Sequence, residues 1–296
     1  MSVKTVKAKI NGQSYDLTYN GETQKWEATI TAPSKSSYNQ TGHYYPVELT
    51  ATDDAGNATT INDKSPNFGS DLQLIVKEKV APVITVVYPT EGAFLTNNQP
   101  KFQWSISDDD SGVDESSIKI NIDGSDITEG ITKDTSGNTC TCEYTHTEAL
   151  GDGEHTVIFS AADHDGNIAA QKTVKFKVDT VAPTLTVSTP ADNLVTNEEE
   201  ITVAGTTSDI TSSPVTVTIN GEQVTVGENG AFSKQITLEP GENTITVIAK
   251  DSAGKTAEVT RRVTLDTGAP EFQSVTITPN PVDGGKTFII SVSVTD

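Results

Sequence analysis

The side chains best able to do chemistry in this chain are carboxylates, and they come in bunches. Asp108, Asp109, Asp110, Asp114 and Glu115 crowd one short stretch, Asp163 and Asp165 flank a histidine, and Glu78 stands just ahead of an Ala-Pro step. A sparser set consists of Asp179, Asp209 and Asp251. Carboxylates grouped without neighbouring bases suit a hard cation, since Ca²⁺ collects six to eight oxygens, many of them from Asp and Glu. Glycoside hydrolysis would instead need two carboxylates facing each other across a cleft, and Glu198-Glu199-Glu200 sits among tight turns that offer little concavity.

Other chemistries find less support. His43, His146, His155 and His164 lack the spacing of a zinc site. His164 lies between Asp163 and Asp165, but no serine or cysteine occupies a nucleophile elbow, so no catalytic residue is assigned and an enzyme is not expected. Neither a glycine-rich phosphate loop nor a CxxC pair is present. Cys140 and Cys142, two apart on a strand, point to one face and are expected as free thiols. Aromatic groups for stacking on a sugar would come from Tyr38, His43, Tyr44 and Tyr45, which share one loop. The alternative for that loop is tyrosines packed across the end of a domain. Trp26 and Trp104 sit mid-strand and read as core.

Charge narrows the partners. With 41 acidic against 20 basic side chains the net charge is −21, which repels a phosphate backbone and an anionic membrane surface. No apolar run approaches the roughly 20 residues of a membrane span. The opening residues run straight into a strand pattern without a signal-peptide core, which, for a complete chain, implies synthesis in the cytosol.

The elements that must hold these carboxylates repeat along the chain. An Ala-Pro step opens a unit at Ala81-Pro82, Ala182-Pro183 and Ala269-Pro270. An alternating strand ends in a two-residue turn at Asn11-Gly12, Asp123-Gly124 and Asn220-Gly221, the strongest short-range hairpin signal. A third strand closes on an acidic turn at Asp53 to Asn57, Asp163 to Asn167 and Asp251 to Lys255. Thr, Ser, Val, Ile and Gly are plentiful and aromatics make up only 6%, a composition for short half-buried strands. Period-two apolarity with three turns recurring in one order predicts an all-β protein of tandem Greek-key sandwiches, each of roughly 100 residues and seven strands.

Residues 80–180 and 181–267 each read as a complete sandwich, with strands A to G. Residues 2–79 begin at strand C, with later strands around Tyr15 to Tyr19, Trp26 to Ile30, Tyr45 to Ala51 and Leu72 to Val76. They lack A and B. Residues 268–296 supply an A and B pair and nothing more, so one domain is split between the two partial units. In this order the B–C and F–G loops meet the incoming linker. Glu78, Asp108, Asp109, Asp110, Asp114, Asp163 and Asp165 would gather at the first junction, and Asp179, Asp209 and Asp251 at the second, either as calcium sites or as solvated acidic loops that favour turns.

Through Asp179-Thr180-Val181-Ala182-Pro183, Asp266-Thr267-Gly268-Ala269-Pro270, Asp110-Ser111-Gly112-Val113-Asp114 and the three acidic turns, most of the chain resembles the tandem bacterial immunoglobulin-like (Ig-like) domains of surface adhesins and of phage tail proteins. The resemblance implies an elongated rod and a non-enzymatic structural or host-contact component of a phage tail or tail-like particle, located in the virion. A stalk of a bacterial cell-surface adhesin is the alternative, and a carbohydrate-binding module a further one. Partners would be proteins, either other copies of the chain or other tail and surface proteins, or a cell-surface glycan.

Overall fold

The computed structural model describes residues 2–296. Apart from two short 3₁₀ turns at Thr41–His43 and Gly69–Leu72, its regular elements are β-strands. They fall into two compact units, residues 1–178 and 179–296.

The first unit starts with a single sheet made of β1 (Val3–Ile10), β2 (Gln13–Asn20), β3 (Lys25–Glu27), β4 (Tyr45–Asp53), β5 (Ala58–Ile61) and β6 (Gln73–Leu74). Its order is β3-β2-β1-β4-β5, with β6 on β4. Ala28, Thr29 and Ile30 continue the alternation of a strand but lie outside β3, because no neighbouring strand offers them a ladder. Trp26 accordingly is only half-buried and not a core residue.

A two-sheet sandwich follows. It contains β7 (Val83–Tyr88), β8 (Ala93–Leu95), β9 (Lys101–Ser107), β10 (Val113–Ile122), β11 (Ser125–Ile127), β12 (Thr132–Ser136), β13 (Thr139–Thr145), β14 (Gly153–Asp163) and β15 (Lys172–Val178). One sheet runs β12-β13-β9-β7 and the other β11-β10-β14-β15-β8. Alternation along β9 aims Phe102, Trp104 and Ile106 at Ile118, Ile120 and Phe159, all at most 1% exposed. Cys140 and Cys142 join this core as free thiols with sulfurs 3.7 Å apart. Burial, then the neighbouring Cys140, pushes the Cys142 thiol up and keeps it protonated.

The second unit holds another sandwich, with β16 (Thr184–Thr189), β17 (Leu194–Thr196), β18 (Glu200–Ser208), β19 (Thr216–Ile219), β20 (Glu222–Val224), β21 (Ala231–Thr237), β22 (Gly241–Lys250) and β23 (Thr256–Leu265). Its sheets run β16-β18-β21 and β17-β23-β22-β19-β20 over a core that includes Val203, Val217, Val247 and Val263. Last comes a hairpin of β24 (Glu271–Thr278) and β25 (Ile289–Thr295).

Seven strands per sandwich understates both sandwiches, which hold nine and eight strands, and in each the opening strand divides. It switches sheets at Pro89 and Pro190, residues without a ladder N–H, so that β8 and β17 pair in parallel with the last strand of the opposite sheet. The turns repeat as the sequence implies. Asn11, Asp123 and Asn220 have φ of 47–49° and the following glycines 78–90°, the two positive values that suit the right-handed twist of a hairpin.

Candidate cation sites and an aromatic clasp

The recurrent acidic turn shows how a loop of this family handles a carboxylate. In each copy the aspartate accepts through Oδ1 from the N–H four residues on: Asn57 to Asp53 at 2.8 Å, Asn167 to Asp163 at 2.7 Å, Lys255 to Asp251 at 2.8 Å. Oδ2 then needs its own donor. Asn57 Nδ2 supplies it at 2.9 Å and Asn167 Nδ2 at 2.7 Å. At the third turn the residue is Lys255, and Asp251 Oδ2 is left buried with no hydrogen-bond partner.

Asp251 belongs to a trio. Asp179, Asp209 and Asp251 each offer a carboxylate oxygen, all within 4.8 Å of one another. Asp179 is fully buried and Asp251 is 5% exposed. Asp179, just ahead of β16, accepts from Val181 N at 3.2 Å and from the Ser212 hydroxyl. Asp209, at the end of β18, accepts from the N–H groups of Thr211 and Ser212 at 2.8 and 2.7 Å. Among the described residues no salt bridge reaches the trio. Charges this close repel by on the order of 3 kcal/mol per pair in a partly buried setting. Oxygen-only donors, dense negative charge and one buried orphan oxygen fit a Ca²⁺ ion.

In the first unit, Glu78, Asp108 and Asp163 form the equivalent trio, again within 4.8 Å. Here the carboxylates have found protein partners. Asp108 Oδ1 accepts from Asp110 N at 3.1 Å and Gly112 N at 2.7 Å, while Glu78 Oε1 accepts from Ser111 and Asn167 side chains at 3.3 and 3.2 Å. Burial raises the Glu78 carboxyl above its usual range, and Asp163 and Asp108 push it further. Burial acts on Asp163 in the same sense, but the hydrogen bonds from Asn167 and Glu78 outweigh it and hold Asp163 low. The two neighbouring acids are thus pushed apart, Glu78 upward and Asp163 downward.

Four other acidic candidates lie outside both trios, because each carboxylate serves a nearby backbone or side-chain donor. Asp114 accepts from Ser116 N at 2.9 Å, and Asp109 from Asn138 Nδ2 at 3.2 Å. Asp110 accepts from Ser36 N at 3.1 Å, and Asp165 Oδ2 from Glu78 N at 2.9 Å. The last two contacts join the first sheet's loops to the sandwich beside it.

The tyrosine loop takes part in the same clasp. Tyr38 stacks on His43, centroids 4.4 Å apart at 22°, and on His164 at 3.9 Å and 7°. Two rings stacked this closely must lie on opposite faces of Tyr38, so neither face is open to a sugar. Tyr45 is 3% exposed and donates to Lys35 O at 3.2 Å. Tyr44 donates to Asp63 at 2.8 Å. Each of the loop's four candidate side chains thus has a partner within the protein. Nothing in the run of tyrosines signalled His164 as the partner, since it lies in a different sandwich.

Known proteins share these modules. A family model for a bacterial Ig-like domain matches residues 91–180, and one for glucodextranase domain B matches residues 183–267. In the first sandwich the A-B-E-D and A′-G-F-C-C′ sheets are those of an Ig fold. These are tandem Ig-like domains. Bacillopeptidase F of Bacillus subtilis (strain 168) is 36% identical over 117 residues, 40% of this chain. The chain spans 8% of that relative's length. Among solved structures, the fibronectin(III)-like modules of Clostridium thermocellum CbhA align with 62% of this chain and 94% of theirs at 18% identity and a TM-score of 0.40. A three-Ig fragment of titin aligns with 89% of this chain and 88% of its own at 11% identity and a TM-score of 0.42. Among the described residues no helix is long and apolar enough to cross a membrane.

Proposed function

We propose that the chain is a non-enzymatic structural or host-contact component, of the kind a phage tail or tail-like particle uses, whose Ig-like domains are braced by Ca²⁺. The observation that carries the cation reading is the grouping of Asp179, Asp209 and Asp251 together with the buried, partnerless Oδ2 of Asp251. Asp179, Asp209 and Asp251 would hold one ion, and Glu78, Asp108 and Asp163 a second. A bound ion would tie Asp179, ahead of β16, to the loops after β18 and β22 and so stiffen that end of the domain. A stalk of a cell-surface adhesin is the second reading. It is favoured by the match of a short stretch of a far longer bacterial protein, where such domains form one part of a large polypeptide.

Calorimetric titration with Ca²⁺ tests the cation. The expected result is binding that Asp251→Asn weakens at least tenfold, with Mg²⁺ far weaker because it demands a tighter, near-octahedral shell. No heat with Ca²⁺, or binding unchanged by Asp251→Asn, contradicts it. Immunogold labelling with antibody to the chain separates the two settings. Gold on tail-like particles supports the first reading, gold on cell walls alone assigns the stalk, and labelling of neither contradicts both.

A further inference from the structure

The two-residue turn that recurs three times in this chain is alike in backbone and unlike in one hydrogen bond. The ladder reaches all three turns in the same way, pairing Ile10 with Gln13, Ile122 with Ser125 and Ile219 with Glu222. On its other side the strand before each turn pairs with a third strand, Ile10 with Val47, Ile122 with Val157 and Ile219 with Val247. The residue just ahead of that third partner therefore faces the turn. In two copies it is a threonine whose backbone donates to the turn's side chain: Thr156 N to Asp123 Oδ1 at 2.8 Å, and Thr246 N to Asn220 Oδ1 at 2.9 Å. In the first copy it is Pro46, which has no N–H to give. Asn11 lacks the clamp that its counterparts share.

An Asn-Gly step carries its own reaction. The glycine backbone nitrogen attacks the asparagine Cγ, the bond from Cγ to the side-chain nitrogen breaks, and ammonia leaves with the proton of the glycine N–H. A cyclic imide remains. Water opens it at either carbonyl, giving aspartate or, with the main chain routed through the former side chain, isoaspartate. The sum is asparagine and water to aspartate or isoaspartate and ammonia, with no oxidant or cofactor. Cγ must swing onto the nitrogen, so a bond that holds Oδ1 on a neighbouring strand opposes the attack.

Four such steps occur in the sequence, and three are restrained. Asn220 is clamped by Thr246. Asn20 accepts through Oδ1 from Glu22 N at 2.9 Å and donates through Nδ2 to Glu27 at 2.9 Å. At Asn229 the attacking nitrogen is engaged, since Gly230 N donates to Gly227 O at 2.8 Å. At the remaining step neither Asn11 Oδ1 nor Gly12 N has a hydrogen-bond partner among the described residues. Gly12 also has open space on its side-chain face, with nothing within 4 Å of where a Cβ would stand.

We propose that Asn11 is a site of spontaneous deamidation, and that Thr246 shields Asn220 from the same reaction. The two products differ in consequence. Aspartate is already the resident of this turn at Asp123, so the aspartate product keeps the hairpin. Isoaspartate adds a methylene to the main chain of a turn whose length fixes the register of β1 on β2, and so breaks that pairing.

Incubating the folded chain at mildly alkaline pH in heavy-oxygen water, then mapping peptides by mass spectrometry, reads all four steps at once. Asn11 should convert first, and roughly five- to tenfold faster than Asn220, the factor that one such hydrogen bond is worth. In denaturant the two should convert at equal rates, because each follows an isoleucine and precedes a glycine. Pro46→Thr restores the N–H of the other two copies and should slow Asn11 toward the Asn220 rate without changing Asn220. Equal rates in the folded wild type overturn the inference, as does a faster Asn220. So does an Asn11 rate left unchanged by Pro46→Thr in a variant that melts like the wild type.

Discussion

Asp251 and Asp163 occupy the same position of the same turn and differ by one neighbour. Asn167 fills the second oxygen of Asp163, whereas Lys255 leaves that of Asp251 without a partner. Lys255→Asn should therefore supply the missing hydrogen bond, stabilise the calcium-free protein by about 1 kcal/mol in chemical denaturation, and shrink the added effect of Ca²⁺. Glu78 yields a prediction with pH. Its carboxyl is raised in the folded state, so its contribution is present below the ordinary carboxylate range and is lost as pH rises through the raised value. Glu78→Gln keeps the neutral form at every pH. In chelator the variant should gain on wild type as pH rises above the ordinary carboxylate range and through the raised value, whereas saturating Ca²⁺ should reverse the order there because a ligand is gone. Thermal melts across pH, with and without the ion, check both halves of this claim.

At the scale of elements, local chemistry explains why some features were legible in the sequence. Asn220-Gly221 demands two positive φ values, so the hairpin between β19 and β20 can be read from two letters. Gly221→Ala at φ 84° should cost about 1–2 kcal/mol, visible as a lower unfolding midpoint. Period-two apolarity on β10 likewise identifies core. Ile120→Ala should cost about 2–5 kcal/mol by leaving a cavity beside Phe159. Features that depend on a distant partner were not legible. The run Asp108-Asp109-Asp110 looks uniform, yet only Asp108 turns inward, because Gly112 and Asp110 cap it while Asp109 reaches Asn138 and Asp110 reaches Ser36. Trp26 shares Trp104's alternating setting but lacks a second sheet to cover it. The tyrosine loop hides its role for the same reason, since His164 lies more than a hundred residues away.

For the whole molecule, the Ig-like domains that carry a complete pair of sheets also carry the acidic trios at their loop ends, and both trios draw a carboxylate from the segment preceding the first strand. Under the proposed cation reading, part of the net charge of −21 would serve the domains' loop ends as well as solubility. Calcium that binds only the folded domains must raise their stability by RT ln(1 + [Ca²⁺]/Kd), about 2.7 kcal/mol at a hundredfold excess over Kd. Scanning calorimetry of the full chain in chelator, in Mg²⁺ and in Ca²⁺ is the most direct test. The account predicts that Ca²⁺ shifts unfolding upward by several degrees, that Mg²⁺ does so far less, and that Asp251→Asn removes part of the shift. Superimposable transitions in all three conditions would contradict it.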